Sequence, residues 1–135
     1  MGGRSLSGFL LDTHIWLWHA FEDDRLPIGL RRVIDRGANC WLSPVSVWEV
    51  GLLVDRGRLE LEMPLRQWVT QTHGRIPLRE APLTTDVAVR VHEIDLPNRD
   101  PGDHLLAATA LVYDLTVLTV DTNLTDADWL PTRSR

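Results

Sequence analysis

A chain of 135 residues, 44% apolar and 24% charged, has the size and composition of one globular domain, and no apolar run approaches the roughly 20 residues of a membrane-spanning helix. Its net charge of −5 excludes a globally basic face for nucleic acid. The single cysteine, Cys40, excludes an intramolecular disulfide and any cysteine-rich zinc site.

The leader Met1 to Gly8 reads as flexible, and the apolar residues after it stop at Asp12, too early for a signal peptide. The expected organisation is therefore a leader over 1–8 and a single domain over 9–135, in a cytoplasmic protein. Phe9 to Leu11 is a short, wholly apolar strand. Helical character follows from Thr13 to about Phe21 and from Arg25 to about Arg36, with Pro27 in a first turn and Gly37 as a stop. Cys40 to Leu42 is a second strand, in which Cys40 reads as a small buried hydrophobe. Ser43 then caps a helix that has Pro44 at its first position and runs to about Asp55. Leu59 to Met63 alternates as an edge strand or a turn would. Pro64 to Thr72 is helical, and a third strand lies around Glu80-Ala81.

Thr84 caps a helix from Thr85 to Ile94, and Pro97 to Asp100 is a turn. Asp100, Pro101 and Asp103 form a helix start, with an N-cap, a proline at the first position and an acid in the first turn. That helix runs to about Tyr113. Val117 to Val120 is a β-branched strand, and the tail from Asn123 is short and polar except for Trp129-Leu130. Alternating strands and helices predict a three-layer α/β/α domain with a mainly parallel sheet.

Four acids sit where such a fold places a site. Asp12 and Asp121 each follow a strand pattern, Glu49 lies on the helix after the second strand, and Asp103 heads a buried helix. Taken singly, each has a bland role: a helix cap, a solvated helix residue, an answer to a helix dipole, a turn. Taken together, they converge at the carboxyl ends of parallel strands, where open sheets carry their sites. Clustered carboxylates repel one another unless cations neutralise them, and an all-oxygen set suits Mg²⁺ or Mn²⁺ rather than zinc. His14 and His104 stand near the acids as ligands, as supports or as surface residues.

Leu10 to His14, Ser43 to Glu49, Arg99 to Ala110 and Leu118 to Asp121 resemble, in order and spacing, the four motifs of PIN-domain ribonucleases. The nearest group is the VapC toxins of bacterial type II toxin–antitoxin systems. The similarity spans about Leu10 to Trp129. It implies a PIN-like fold with five parallel strands, Mg²⁺- or Mn²⁺-dependent cleavage of RNA, a homodimer, and inhibition by a cognate VapB-type antitoxin. The motif acids carry over as Asp12, Glu49, Asp103 and Asp121. The family segment is often Asp-Pro-Phe-Asp-Arg, whereas Gly102 and His104 stand here in place of the Phe and Arg. That departure bears on RNA or antitoxin contacts and removes no acid.

On this reading one or two metal ions are held by Asp12, Asp103 and Asp121, with Glu49 direct or through water, and metal-activated water hydrolyses the phosphodiester. Asp100 is given a supporting role because, as an N-cap, its side chain is engaged by backbone N–H groups. Thr13, Ser46, Thr119 and Asn123 would orient carboxylates or water, and Arg99, beside the acidic turn, is the candidate phosphate contact. One alternative is a non-catalytic metal- and RNA-binding PIN-fold module. An aspartyl-phosphate enzyme using Asp12 is disfavoured. That pattern wants a second Asp two positions on, where His14 stands, and a lysine, and all fourteen cationic residues are Arg. Ile15 to Phe21 is apolar nearly all round, so Trp16 or Trp18, with Leu52 and Leu53, would line a dimer seam or an antitoxin groove.

Overall fold

The computed structural model describes residues 8–37 and 39–135. The expected leader lies outside the described residues except for Gly8. Gly8 is buried, and a Cβ there would meet Asn39 O at 2.5 Å and Trp41 Nε1 at 2.7 Å.

Five strands make one parallel sheet: β1 (Phe9–Leu11), β2 (Cys40–Leu42), β3 (Leu78–Glu80), β4 (Thr116–Leu118) and β5 (Thr132–Arg133). Their order is β3-β2-β1-β4-β5. Phe9 pairs with Cys40 on one side of β1 and with Thr116 on the other. The chain thus leaves β1 for β2 on one side and comes back to β4 on the other. The crevice between β1 and β4 is the topological switch point, where ligands of open α/β sheets bind.

Seven helices among the described residues pack around this sheet: α1 (Thr13–Ala20), α2 (Ile28–Asp35), α3 (Pro44–Asp55), α4 (Leu65–Arg75), α5 (Thr85–Val91), α6 (Pro101–Tyr113) and α7 (Thr122–Thr125). The period of two in the strands splits the core into two layers. Leu11 and Leu118 face Ile15, Trp16, Leu30 and Val50, while Leu10 and Val117 face Leu106, Ala107, Ala110 and Leu124. Cys40 is buried, and burial pushes its thiol up to about 11, so it behaves as a core hydrophobe.

Several boundaries differ from expectation for local reasons. The second helix starts at Ile28, not Arg25, because Asp23 accepts from the Arg25 backbone N–H at 2.9 Å and from its guanidinium, locking a turn. The fourth helix runs on to Arg75 beyond the expected Thr72, and the fifth stops at Val91, short of Ile94. Glu93 N–H closes a turn onto Arg90 O at 2.9 Å. The strand placed at Val117 to Val120 ends at Leu118. Leu59 to Met63 forms no strand; Leu59, Leu61 and Met63 pack on the core from a loop.

Two elements have no counterpart in the reading along the chain: α7, and β5, which is the fifth strand that the family resemblance implies. The expectation for α1 also needs correction. Its far side is covered by α4, with the Trp16 and Trp68 rings 4.9 Å apart and Trp16 buried. Trp16 therefore belongs to the core and cannot line an interface.

Candidate active site

The carboxyl edge of the sheet opens at the switch point into a cleft of about 550 Å³, and Asp12, Glu49, Asp100, Asp103 and Asp121 all line it. Asp12 leaves β1 and precedes α1, but its side chain makes no capping bond. Instead its Oδ2 accepts from Thr119 Oγ1 at 2.6 Å. Thr119, just past β4, in turn accepts from the Asp121 backbone N–H at 3.0 Å. One buried hydroxyl therefore couples the exits of the two central strands.

Glu49 sits in the second turn of α3. Ser43 starts that helix by accepting from Val45 N–H, which sets the phase that turns Glu49 inward. Thr13 Oγ1 donates to Glu49 Oε1 at 2.5 Å and is paired with Ser46 Oγ at 2.9 Å. Asp103, in the first turn of α6, is 8% exposed and accepts from Asn98 Nδ2 at 2.7 Å. Gly102 leaves room for the Glu49 carboxylate against α6, since a Cβ there would collide with Glu49 Oε2.

Thr13 and Thr119 thus touch the acids, and Ser46 touches Thr13. Asn123 meets Asp121 through its backbone N–H at 2.9 Å. Asp100 and Asp121 are alike in that each caps a helix with one carboxylate oxygen, Asp100 accepting from Gly102 N–H at 3.0 Å. The capping argument for ranking Asp100 below the other acids therefore does not separate it from Asp121. Arg99 lies in a neighbouring cavity, and among the described residues the guanidinium residue lining the acidic cleft is Arg56. Arg56 had a legible signal: it follows Glu49 by two helical turns, which places both on one face. Asn98 had none, because it acts from a turn without periodicity. His14 lines the cleft beside Trp18, and His104 lies on the other side of the turn, donating to Asn98 O at 2.7 Å.

The acids share one electrostatic environment. Asp103 is pushed up to about 7, first by burial, then by the charges of Asp100, Asp121 and Asp12, against the opposing Asn98 bond. Burial raises Glu49 as well, reinforced by Asp100 and Asp12 and opposed by the Thr13 hydroxyl. Asp12 is raised by burial, with Asp121 adding to the rise and the Thr119 bond opposing it. Each of these acids is made less acidic by losing water and by facing like charge.

The donors, all oxygen and anionic, suit a hard divalent cation. Among the described residues no three His, Cys, Asp or Glu side chains are already drawn into a group ready to hold an ion. Asp12, Glu49, Asp103 and Asp121, with Asp100 beside them, are the residues placed to do it.

The family model for the PIN domain matches residues 9–130. The chain belongs to the PIN domain family. It is 28% identical over 118 residues to "Ribonuclease VapC22" of Mycobacterium tuberculosis (strain ATCC 25618 / H37Rv), a match that covers 85% of this chain and 88% of that one. In fold it resembles VapBC2 from Rickettsia felis, solved bound to a DNA fragment from their promoter. The TM-score is 0.66 at 13% identity, over 93% of this chain and 96% of that one. FitAcB from Neisseria gonorrhoeae gives 0.62 at 22% identity, over 93% and 96%. The PIN family's five-stranded parallel sheet is the one the motifs implied. No helix among the described residues is long and apolar enough to cross a membrane.

Proposed function

We propose that this chain is a Mg²⁺- or Mn²⁺-dependent endoribonuclease and the toxin of a VapBC-type toxin–antitoxin pair, acting in the cytoplasm. The observation that carries the reading is the convergence of five carboxylates, from four separate places in the chain, on one cleft at the switch point of a PIN fold. Likeness to a VapC ribonuclease along most of both chains supports the substrate class.

Asp12, Asp103 and Asp121 are the residues that would hold metal, with Glu49 direct or through water. When bound, Mg²⁺ or Mn²⁺ supplies charge to a phosphate and lowers the pKa of water. The chain's own part is positioning. Thr119 holds Asp12, Thr13 holds Glu49 and Asn98 holds Asp103, each through a hydrogen bond of 2.7 Å or less. Arg56, on a cationic flank of the cleft, would bind a phosphate of the strand.

The apolar flank of the same cleft, Ile15, Trp18, Trp48, Leu52 and Leu53, is wide, and Trp48 is 54% exposed. It fits an apolar antitoxin segment or a second copy in a homodimer. The test of function is cleavage of single-stranded RNA by the purified chain. Cutting that needs Mg²⁺ or Mn²⁺, stops in chelator and is lost in Asp12→Asn supports the reading. Metal binding with no cleavage of any RNA favours the non-catalytic module instead.

A further inference from the structure

Behind the Asp100–Asp103 turn lies a second cavity, of about 640 Å³, within the roughly 300–1,000 Å³ usual for small-ligand sites. Val91, Leu96 and Leu105 give it an apolar floor, and His92, Arg99 and His104 stand around it. Pro101 lines this cavity and the acidic cleft alike, so a single turn of chain separates them.

Two further observations point to a ligand. The Arg99 side chain is exposed and has no ion-pair partner among the described residues, although Asp100 follows it directly. His104 is set by its neighbour: a carbonyl oxygen only accepts, so the 2.7 Å contact with Asn98 O requires the proton on Nε2. In the neutral ring, Nδ1 is then left as an acceptor for a donor on a ligand.

We propose that this cavity is a nucleotide subsite of the RNA strand, receiving the nucleotide next to the one whose phosphate lies among the acids. The inference rests on the ribonuclease reading above. The apolar floor takes the face of a base, and Arg99 takes the adjoining phosphate, a planar cation suited to an anion of that shape. The strand then crosses the Pro101 turn, placing one phosphate on the acidic side and the next on the basic side. An acidic cleft repels an RNA strand, and a subsite carrying unpaired positive charge next to it offsets that repulsion. It also gives the enzyme a place to sense base size beside the bond to be cut.

The test uses the full chain carrying Asp12→Asn, so that RNA is bound but not cut. Arg99→Ala removes the phosphate contact. Ala88→Trp, at an exposed position of α5 that lines the cavity, fills it without disturbing the core, and circular dichroism checks the fold of both variants. Fluorescence anisotropy with a 5′-labelled, mixed-sequence single-stranded RNA should show affinity lowered about tenfold in each variant. Adenosine and uridine 5′-monophosphates should shift the amide resonances of Val91, His92 and Leu105 in the ¹⁵N-labelled protein. Unchanged RNA affinity in both variants, with those amides silent, overturns the subsite while leaving cleavage by the wild type to stand or fall separately. Amide shifts with a leucine-rich amphipathic peptide and none with nucleotides would assign the cavity to a protein partner and overturn the proposal too.

Discussion

Thr119 Oγ1 gives its proton to Asp12 Oδ2 at 2.6 Å while accepting the Asp121 backbone N–H at 3.0 Å. Both partners are site acids, and the hydroxyl is fully buried between them. Thr119→Val keeps the shape but leaves the Asp121 N–H without its acceptor and Asp12 without its donor. We expect a loss of about 1–3 kcal/mol in stability and a fall of roughly 10–100-fold in cleavage or metal affinity. Thr119→Ser should restore most of both. Melting curves and Mn²⁺ titration calorimetry measure the two effects, and equal activity in the Val and wild-type proteins would remove Thr119 from the site.

Asp12→Asn, Asp103→Asn and Asp121→Asn should each abolish cleavage in a folded protein. The change at Asp121 is safe for the fold because Asn is as good an N-cap as Asp. Asp100→Asn is safe for the same reason and should impair cleavage less, because Asp100 is exposed whereas Asp103 is buried and Asp12 and Asp121 are half-buried. Near-ultraviolet circular dichroism confirms folding, and a labelled RNA substrate reports activity. A dead Asp100→Asn beside an active Asp103→Asn would exchange the roles of the two acids in that turn.

Asp103 predicts a pH dependence whose sign follows from its raised pKa. In the folded, metal-free chain its carboxyl holds a proton up to about 7, whereas the unfolded chain releases it near 3.8. Between those values the native state binds more protons, so this residue's contribution to stability falls as pH rises and is lost above about 7. Asn mimics the protonated acid. In chelator, Asp103→Asn and wild type should melt alike near pH 4, and the variant should gain on wild type as pH rises from about 4 to about 7 and no further above it. A constant difference across that range would mean that Asp103 titrates normally.

Gly102 tests the room that the Glu49 carboxylate needs beside α6. A methyl group there would meet Glu49 Oε2, so Gly102→Ala should drive Glu49 off the Thr13 hydroxyl. Cleavage and Mn²⁺ affinity should both fall, although alanine is favoured over glycine within a helix by about 1 kcal/mol. The two effects should be coupled: Glu49→Gln should cost much less in the Gly102→Ala background than in wild type, the mark of two changes acting on one contact. Additive losses would place the effect of Gly102 elsewhere.

The acids were legible because each sits at a place with its own sequence signature. Asp12 follows an apolar strand, and Asp103 follows a cap and a proline. The sheet's centre was legible for the same reason, its strands being short and mostly apolar. Its far edge was not. β5 has two residues and α7 has four, too short to show a period of 2 or 3.6. Arg99 adjoins the acidic turn in sequence, but the backbone at Pro101 sends it to the opposite side. The apolar surplus of α1 was read as an interface in part because α4, which buries Trp16 behind Trp68, lies about fifty residues on in the chain.

Asp12 hangs from the centre of the sheet by more than its side chain. Its backbone N–H donates to Leu118 O at 3.0 Å, prolonging the ladder between β1 and β4. Bonds at such a position open only when the whole domain does, so their amide protons should be the last to exchange. The floor of the cleft is then not a part that can come loose while the rest stays folded. Heating or denaturant should extinguish activity and sheet together, at one midpoint, and a mutation that weakens the core on either face should act on catalysis only through the fraction of molecules still folded.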